Sequence, residues 1–227
     1  MDSADLIALW ISFRLAATTT LLLLLLGTPL AWWLAIGSSR WRTAIDALVS
    51  LPLVLPPTVL GFYLLILLGP QGALGAPLRW LGVSAPVFSF TGLVIGSMLY
   101  SLPFAVQPLR DAFLSVGTRA LEVAATLRAS PWDRFFTIAL PLAARGALTA
   151  AVLSFAHTLG EFGVVLMIGG NIPGRTRTAS IALFDHAEAL EYAAAYRLSL
   201  VLLGVCFVLL LLVYGVNRRL RAVGSTA

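Results

Sequence analysis

Long apolar runs separated by short polar connections dominate this chain. A helix that crosses a bilayer needs about 20 apolar residues, and no stretch shows the strict alternation of a barrel strand. The pattern therefore predicts an all-α integral membrane protein, a single domain over residues 1–227 with five to six transmembrane helices. The five clearest spans lie near residues 12–36, 45–68, 87–109, 142–168 and 197–216.

The composition also indicates a chain that is surrounded by lipid. Hydrophobic residues make up 59% of the 227 residues and charged residues 11%, against about one quarter charged in soluble domains. The first run is too long for a signal peptide and shows no small-residue cleavage pattern before Arg40, so we expect a retained span. Cys206 is the single cysteine, which excludes an intrachain disulfide and a thiol metal site.

The distribution of basic residues predicts the orientation. All 15 basic residues are arginines, spread through short connections rather than gathered on a basic face, so we expect no nucleic-acid partner. Ten fall on one predicted side and five on the other, and the positive-inside rule makes the richer side cytoplasmic. The N-terminus is then outside and the C-terminus inside. The ten cytoplasmic arginines are Arg40, Arg42, Arg110, Arg119, Arg128, Arg134, Arg145, Arg218, Arg219 and Arg221.

The segment 110–141 is neither membrane-like nor disordered. Gly117 is suited to end one helix and Thr118 to begin the next. The short helix that follows, to about Arg128, would be about 15 Å long, too short to span. Ser130 and Pro131 then fit the N-cap and first position of another helix. We interpret this as a cytoplasmic protein-docking element, the alternative being an amphipathic hairpin at the membrane interface.

Two motifs in this segment, EVAATLRA at 122–129 and IALP at 138–141, resemble the "EAA…G…I-LP" loop of binding-protein-dependent ABC importer permeases. The resemblance implies a type I, MetI-like importer fold in which this loop forms a coupling helix that docks on an ATPase. Arg128 stands where the family usually has glycine, so either the turn is helical here or Ala129 and Ser130 contain the break. The implied coupling residues are Glu122, Ala124, Ala125, Leu127, Arg128, Ala129 and Ser130.

Two further stretches, LPLVLPP at 51–57 and GEFG…GNIPGRT at 160–176, are similar to molybdate permeases of the ModB type. This resemblance implies a homodimeric permease in a bacterial inner membrane that imports an oxyanion, most specifically molybdate, with sulfate, thiosulfate and tungstate as alternatives. The implied partners are a cytoplasmic ABC ATPase dimer, an external oxyanion-binding protein and membrane lipid. We expect no cofactor on this chain itself, since ATP and Mg would belong to the ATPase.

Prolines, glycines and one carboxylate interrupt the predicted spans. Breaks of this kind either kink a helix or mark a transport site, and we expect a translocation path or gate at Pro56, Pro57, Thr58, Gly160, Glu161 and Gly163. For Glu161, a structural contact between helices or subunits is favoured over contact with substrate, because a free carboxylate would repel an anion. His157 is one helical turn away, but no further ligands complete a metal site.

Two other classes of function remain as alternatives. An ion-coupled secondary transporter would need repeated halves and several intramembrane ionisable residues, of which His157 and Glu161 are the candidates. An intramembrane enzyme would need a nucleophile or zinc signature, and the sequence contains none. The chain also contains no lysine and hence no G-x-x-x-x-G-K phosphate loop, so the leading expectation is a non-catalytic transport subunit driven by a separate ATPase.

Overall fold

A computed structural model describes residues 2–37, 39–82 and 84–224, with the backbone alone for residue 214 and residues 216–224. Every regular element within these ranges is helical, in agreement with the predicted fold class. The elements in chain order are α1 (Ser3–Ile36), α2 (Arg42–Ser50) with a 3-10 turn (Leu51–Leu53), α3 (Pro57–Leu68), α4 (Gly75–Trp80), α5 (Phe90–Thr126), α6 (Pro131–Arg134), a π-helical turn (Phe135–Ala139), α7 (Leu140–Leu142), α8 (Ala144–Gly160), α9 (Gly163–Gly169), α10 (Ala179–Glu188) and α11 (Tyr192–Gly224).

Three of the described helices are long and apolar enough to cross a membrane unaided: Ser3–Ile36, Phe90–Thr126 and the Tyr192–Val213 part of α11. The number rises to five if each of two bent helix pairs counts as one span. The pairs are Arg42–Leu53 with Pro57–Leu68, bent by 110°, and Pro131–Leu142 with Ala144–Gly160, bent by 68°. The predicted number of spans is therefore compatible with the structure, but two of the spans are not straight helices.

The predicted span 45–68 is interrupted, as its prolines indicate, and the change of direction is larger than a simple kink. The helix stops at the turn Leu51–Leu53 and restarts at Pro57 in a different direction, because proline has no N–H for the helix ladder. The predicted span 142–168 is likewise divided at Glu161 and Phe162. The third span begins at Phe90 rather than 87 and remains helical past 109 as far as Gly117, so much of the predicted loop 110–141 is helix.

Packing defines two ends of the molecule. At the end that contains Gly117 to Ser130, called the loop end below, one apolar cluster joins α1, α2, α5, the π-helical turn and α8. At the opposite end, called the far end, a second cluster joins α1, α10 and α11. The helix α1 extends from one cluster to the other and contacts α5 and α8 extensively.

Candidate functional site

The docking segment begins with a backbone break at Gly117. This residue has φ 72° and ψ 169° between two helical stretches of α5, a conformation that glycine adopts without steric cost. A Cβ at Gly117 would have open space around it, so the backbone angle alone requires glycine. The kink separates the long apolar part of α5 from a short helix, residues 118–126, as the sequence predicts.

The short helix ends in a left-handed turn at Arg128, with φ 61°. The N–H of Arg128 donates to the carbonyl of Ala125 at 3.0 Å, and that of Ala129 to the carbonyl of Ala124 at 3.1 Å. This pair of hydrogen bonds is the Schellman motif, which usually has glycine in the left-handed position. Arg128 therefore adopts the conformation for which the family glycine is suited. The first sequence-based alternative, a helical turn, is wrong, and the second is wrong in placing the break after Arg128 rather than at it.

The chain restarts as a helix two residues later. The Ser130 hydroxyl accepts a hydrogen bond from the N–H of Asp133 at 3.1 Å, and Pro131 occupies the first turn. These are the predicted N-cap and helix start. A π-helical turn follows at Phe135–Ala139, a feature that is frequent at functional sites and that no sequence pattern indicated here.

The short helix has an anchored face and an exposed face. Ala124 is buried, and Leu121 packs against the apolar cluster of the loop end. Glu122 and Leu127 are exposed, and Leu127 leaves 78% of its surface uncovered. An exposed leucine beside an exposed carboxylate and small residues forms a surface suited to a protein partner.

Three aromatic side chains support this surface from beneath. The ring of Trp32 lies 5.1 Å from that of Phe113 and 5.3 Å from that of Phe135, both edge-on. They connect the end of α1, the end of the apolar part of α5 and the π-helical turn. The docking segment is therefore in direct contact, through these rings, with two long helices.

The predicted path residues form two helix breaks. In the first, Pro56 is extended, with ψ 134°, and Pro57 begins α3. Before it, Val54 leaves 83% of its surface uncovered. In the second, Glu161 is extended after the end of α8, with ψ 135°, and α9 begins at Gly163.

The structure brings these two breaks into contact. A Cβ at Gly163 would lie 2.9 Å from the Cβ of Pro57, and one at Gly61 would lie 2.7 Å from the Cβ of Met167. The two glycines thus allow α3 and α9 to pack closely. Pro57 and Gly163 are 106 positions apart in the sequence but in contact in the fold, whereas Glu122 and the other residues predicted to couple to an ATPase lie in a separate segment.

Glu161 is buried inside the protomer, with 4% of its surface exposed. Neither carboxylate oxygen has a hydrogen-bond partner among the described residues; Ser97 is near but outside hydrogen-bonding geometry. The backbone carbonyl of Glu161 accepts a hydrogen bond from the Ser180 hydroxyl, which fixes the break to α10. The inter-helix hydrogen bond expected of the Glu161 side chain is thus not formed among the described residues, and the alternative, a contact between subunits, stays a prediction.

His157 does not pair with Glu161. Its Nδ1 lies 2.9 Å from the Ser101 hydroxyl, which is also 2.9 Å from the Thr158 hydroxyl, and its ring stacks on Phe104 at 4.0 Å. Sequence reasoning missed Ser97 and Ser101. Their spacing of four within an apolar helix is the signal that could have indicated a polar stripe on α5.

An all-helical membrane fold with a capped short helix at one end and two touching helix breaks within the spans is typical of membrane transport proteins. Residues 27–222 match the family described as "Binding-protein-dependent transport system inner membrane component". The chain belongs to this family, and it is therefore an inner-membrane transport subunit.

Individual relatives agree with that assignment. The chain is 56% identical over 222 residues to the molybdenum transport system permease protein ModB of Azotobacter vinelandii, covering 98% of both chains. It is 37% identical over 178 residues to ModB of Escherichia coli K12, covering 78% of this chain and 77% of that one. Its fold resembles a bacterial ABC transporter involved in alginate import, with a TM-score of 0.79 at 17% identity over 96% of this chain and 80% of that one.

Proposed function

We propose that this chain is the membrane-spanning permease of an ATP-driven importer of molybdate. The observation that supports the cargo most strongly is the 56% identity, over nearly the whole length, to a permease named for molybdenum transport. Sulfate, thiosulfate and tungstate, which are also oxyanions, are the alternatives, and the experiment below separates sulfate from molybdate.

A separate ATPase dimer, with ATP and Mg, drives the transport through the docking segment. The exposed face with Glu122 and Leu127 is the contact surface, and the Schellman turn at Arg128 sets where it ends. Small residues between them let a partner's cleft approach the backbone. Nucleotide-driven movement of the ATPases then reaches α1 and α5 through the ring contacts of Trp32 and Phe113.

The path runs along the two helix breaks, where two copies of the chain face each other. Non-helical backbone inside a membrane is stable only where protein covers it or water lines it. The stretch before Pro57 is both non-helical and exposed at Val54. Contact with lipid would destabilise it, whereas a second copy of the chain or a water-filled path would satisfy its backbone groups. The buried carboxylate of Glu161 is shielded from an anion that passes there.

The loop end faces the cytoplasm, as the distribution of arginines predicts, and the far end receives an external binding protein. The connection before α10 is suited to that contact because it is held rigidly. The amide of Asn171 donates to the Asp185 carboxylate at 2.8 Å, Arg177 forms an ion pair with the same carboxylate at 2.9 Å, and the Thr176 hydroxyl donates to the carbonyl of Gly169 at 2.7 Å. Arg175 remains exposed and offers positive charge.

The test is uptake of labelled molybdate by cells or proteoliposomes that contain the full transporter. We expect uptake that requires ATP and external binding protein, is inhibited by unlabelled molybdate and tungstate, and is inhibited only weakly by sulfate. Stronger inhibition by sulfate than by molybdate would contradict the assignment of molybdate as the transported anion. Uptake that follows an ion gradient without ATP would instead support a secondary transporter.

A further inference from the structure

A polar cavity of about 250 Å³ lies at the loop end, between the end of α1, α2 and α5. The transport mechanism proposed above does not use it. Its lining combines one apolar side chain with hydroxyl and charged groups: Leu34, Ser39, Arg42, Thr43, Asp46 and Arg110.

Positive charge and hydrogen-bond donors prevail in this cavity. Arg110 forms an ion pair with Asp46 at 3.1 Å, and both side chains are partly open to solvent. Arg42 donates to carbonyls at and just after the end of α1, so its charge is held in place without a carboxylate partner among the described residues. The lining thus contains two guanidinium groups and one carboxylate, together with the side chains of Ser39 and Thr43. This donor set suits a tetrahedral oxyanion, which arginine recognises well.

The surroundings of the cavity are apolar and exposed. Ile36 and Trp41 flank it in the chain, and Trp41 leaves 62% of its surface uncovered. On α2, the exposed residues Ala44, Ala47 and Leu48 lie on the side next to Thr43. The α2 segment meets α3 at an angle of 110°, so the two do not form one straight helix. A polar cavity beside an exposed apolar helix face fits an amphiphile, and tryptophan is typical of the membrane interface.

We propose that this cavity binds the phosphate group of an anionic phospholipid, with the acyl chains along the exposed apolar side of α2. Basic cavities between helices at the cytoplasmic surface recognise such headgroups. The choice of the cytoplasmic leaflet rests on the orientation given under the proposed function. Bound lipid would brace α2 against α5, next to the segment that docks the ATPase.

The experiment is native mass spectrometry of the purified full chain, titrated with phosphatidylglycerol or with phosphatidylcholine of the same acyl chains. We expect retention of one phosphatidylglycerol per chain and weak retention of phosphatidylcholine. Binding should be about tenfold weaker in Arg110→Gln, the size of one lost charge-assisted hydrogen bond. The double variant Asp46→Asn/Arg110→Gln leaves no unpaired carboxylate and should show the same loss if the single variant folds poorly.

The matched control is Arg79→Gln, which removes an equal charge from another arginine-lined cavity, beside Trp80, and should bind lipid as the unaltered chain does. Millimolar inorganic phosphate or molybdate should not displace the lipid. Equal retention of the two lipids, an equal loss in the control, or displacement by either free anion would overturn the proposal. None of these readouts requires ATPase or transported cargo, so failure here leaves the proposed transport function to its own test.

Discussion

Arg128 adopts the left-handed conformation, with φ 61°, at the end of the docking helix. For a residue with a side chain this costs about 1–2 kcal/mol, while glycine would gain freedom in the unfolded chain worth up to about 1 kcal/mol. We therefore expect Arg128→Gly to change the free energy of unfolding by about 0 to +2 kcal/mol and to keep uptake near the normal rate. Thermal unfolding of the purified chain and an uptake assay measure the two effects.

The control for that variant is Ala125→Gly, in the helical part of the same segment, which should lower stability by about 1 kcal/mol. A transporter that folds normally with Arg128→Gly but does not transport would show that the guanidinium makes an essential contact of its own. The sequence indicated a turn near this position, but neither of its two alternatives placed the left-handed angle at Arg128 itself. The position of this angle depends on the hydrogen bonds of Arg128 and Ala129 to the preceding turn, which residue type alone does not determine.

Glu161 is buried without a hydrogen-bond partner among the described residues. An amide is less costly to bury than a carboxylate, so Glu161→Gln should yield at least as much folded protein and keep molybdate uptake within about twofold. The amount of the Glu161→Gln protein in the membrane and its initial rate of molybdate uptake are the two measurements that check this. Normal folding with complete loss of uptake would assign Glu161 a part in the transport cycle.

At the scale of elements, the contact between α3 and α9 depends on Gly163. Its Cβ would meet the rigid ring of Pro57 at 2.9 Å, whereas a Cβ at Gly160 would meet nothing within 4 Å. Gly163→Ala should therefore destabilise the fold by about 1–3 kcal/mol and reduce uptake, and Gly160→Ala should be tolerated. Unfolding midpoints and uptake of the two variants, measured side by side, check this; equal behaviour would refute the packing account.

The same elements show what hydropathy can and cannot predict. Averaged over residues 45–68, the chain is apolar enough for one span, and the prolines signal that the helix is interrupted. The angle of the interruption depends on residues far away in the sequence, since α3 takes its direction from its packing against α9. The coupling segment was more predictable because Gly117, Ser130 and Pro131 act locally, through backbone angles and caps.

At the scale of the whole molecule, one histidine joins three helices at the far end. His186 of α10 lies 2.9 Å from the Asp5 carboxylate of α1 and 2.7 Å from the Glu191 carboxylate just before α11. The hydrogen bonds to Asp5 and Glu191 raise the pKa of His186 above its ordinary value. The stabilisation is therefore complete below the ordinary histidine pKa of about 6.5 and is lost as the pH rises through the raised one.

Melting midpoints of the unaltered chain and of His186→Gln, measured from pH 5 to pH 9 in lipid nanodiscs, test this connection. The melting midpoint of the unaltered chain should exceed that of His186→Gln by the largest amount at acidic pH, and this difference should decrease as the pH increases. A difference in melting midpoint that stays constant, or that grows with pH, would mean that the protonated ring of His186 does not stabilise the far end.

The central claim is that a separate ATPase drives this permease through the helix that contains Glu122. Its most direct test is capture of the ATPase by the tagged full chain carrying Glu122→Lys, with Glu188→Lys as an equal charge reversal at an exposed position of the far end. We expect Glu122→Lys to reach the membrane in normal amounts but to lose the ATPase, while Glu188→Lys retains it. Capture of the ATPase by Glu122→Lys at the unaltered ratio, with ATP-dependent uptake intact, would contradict the account.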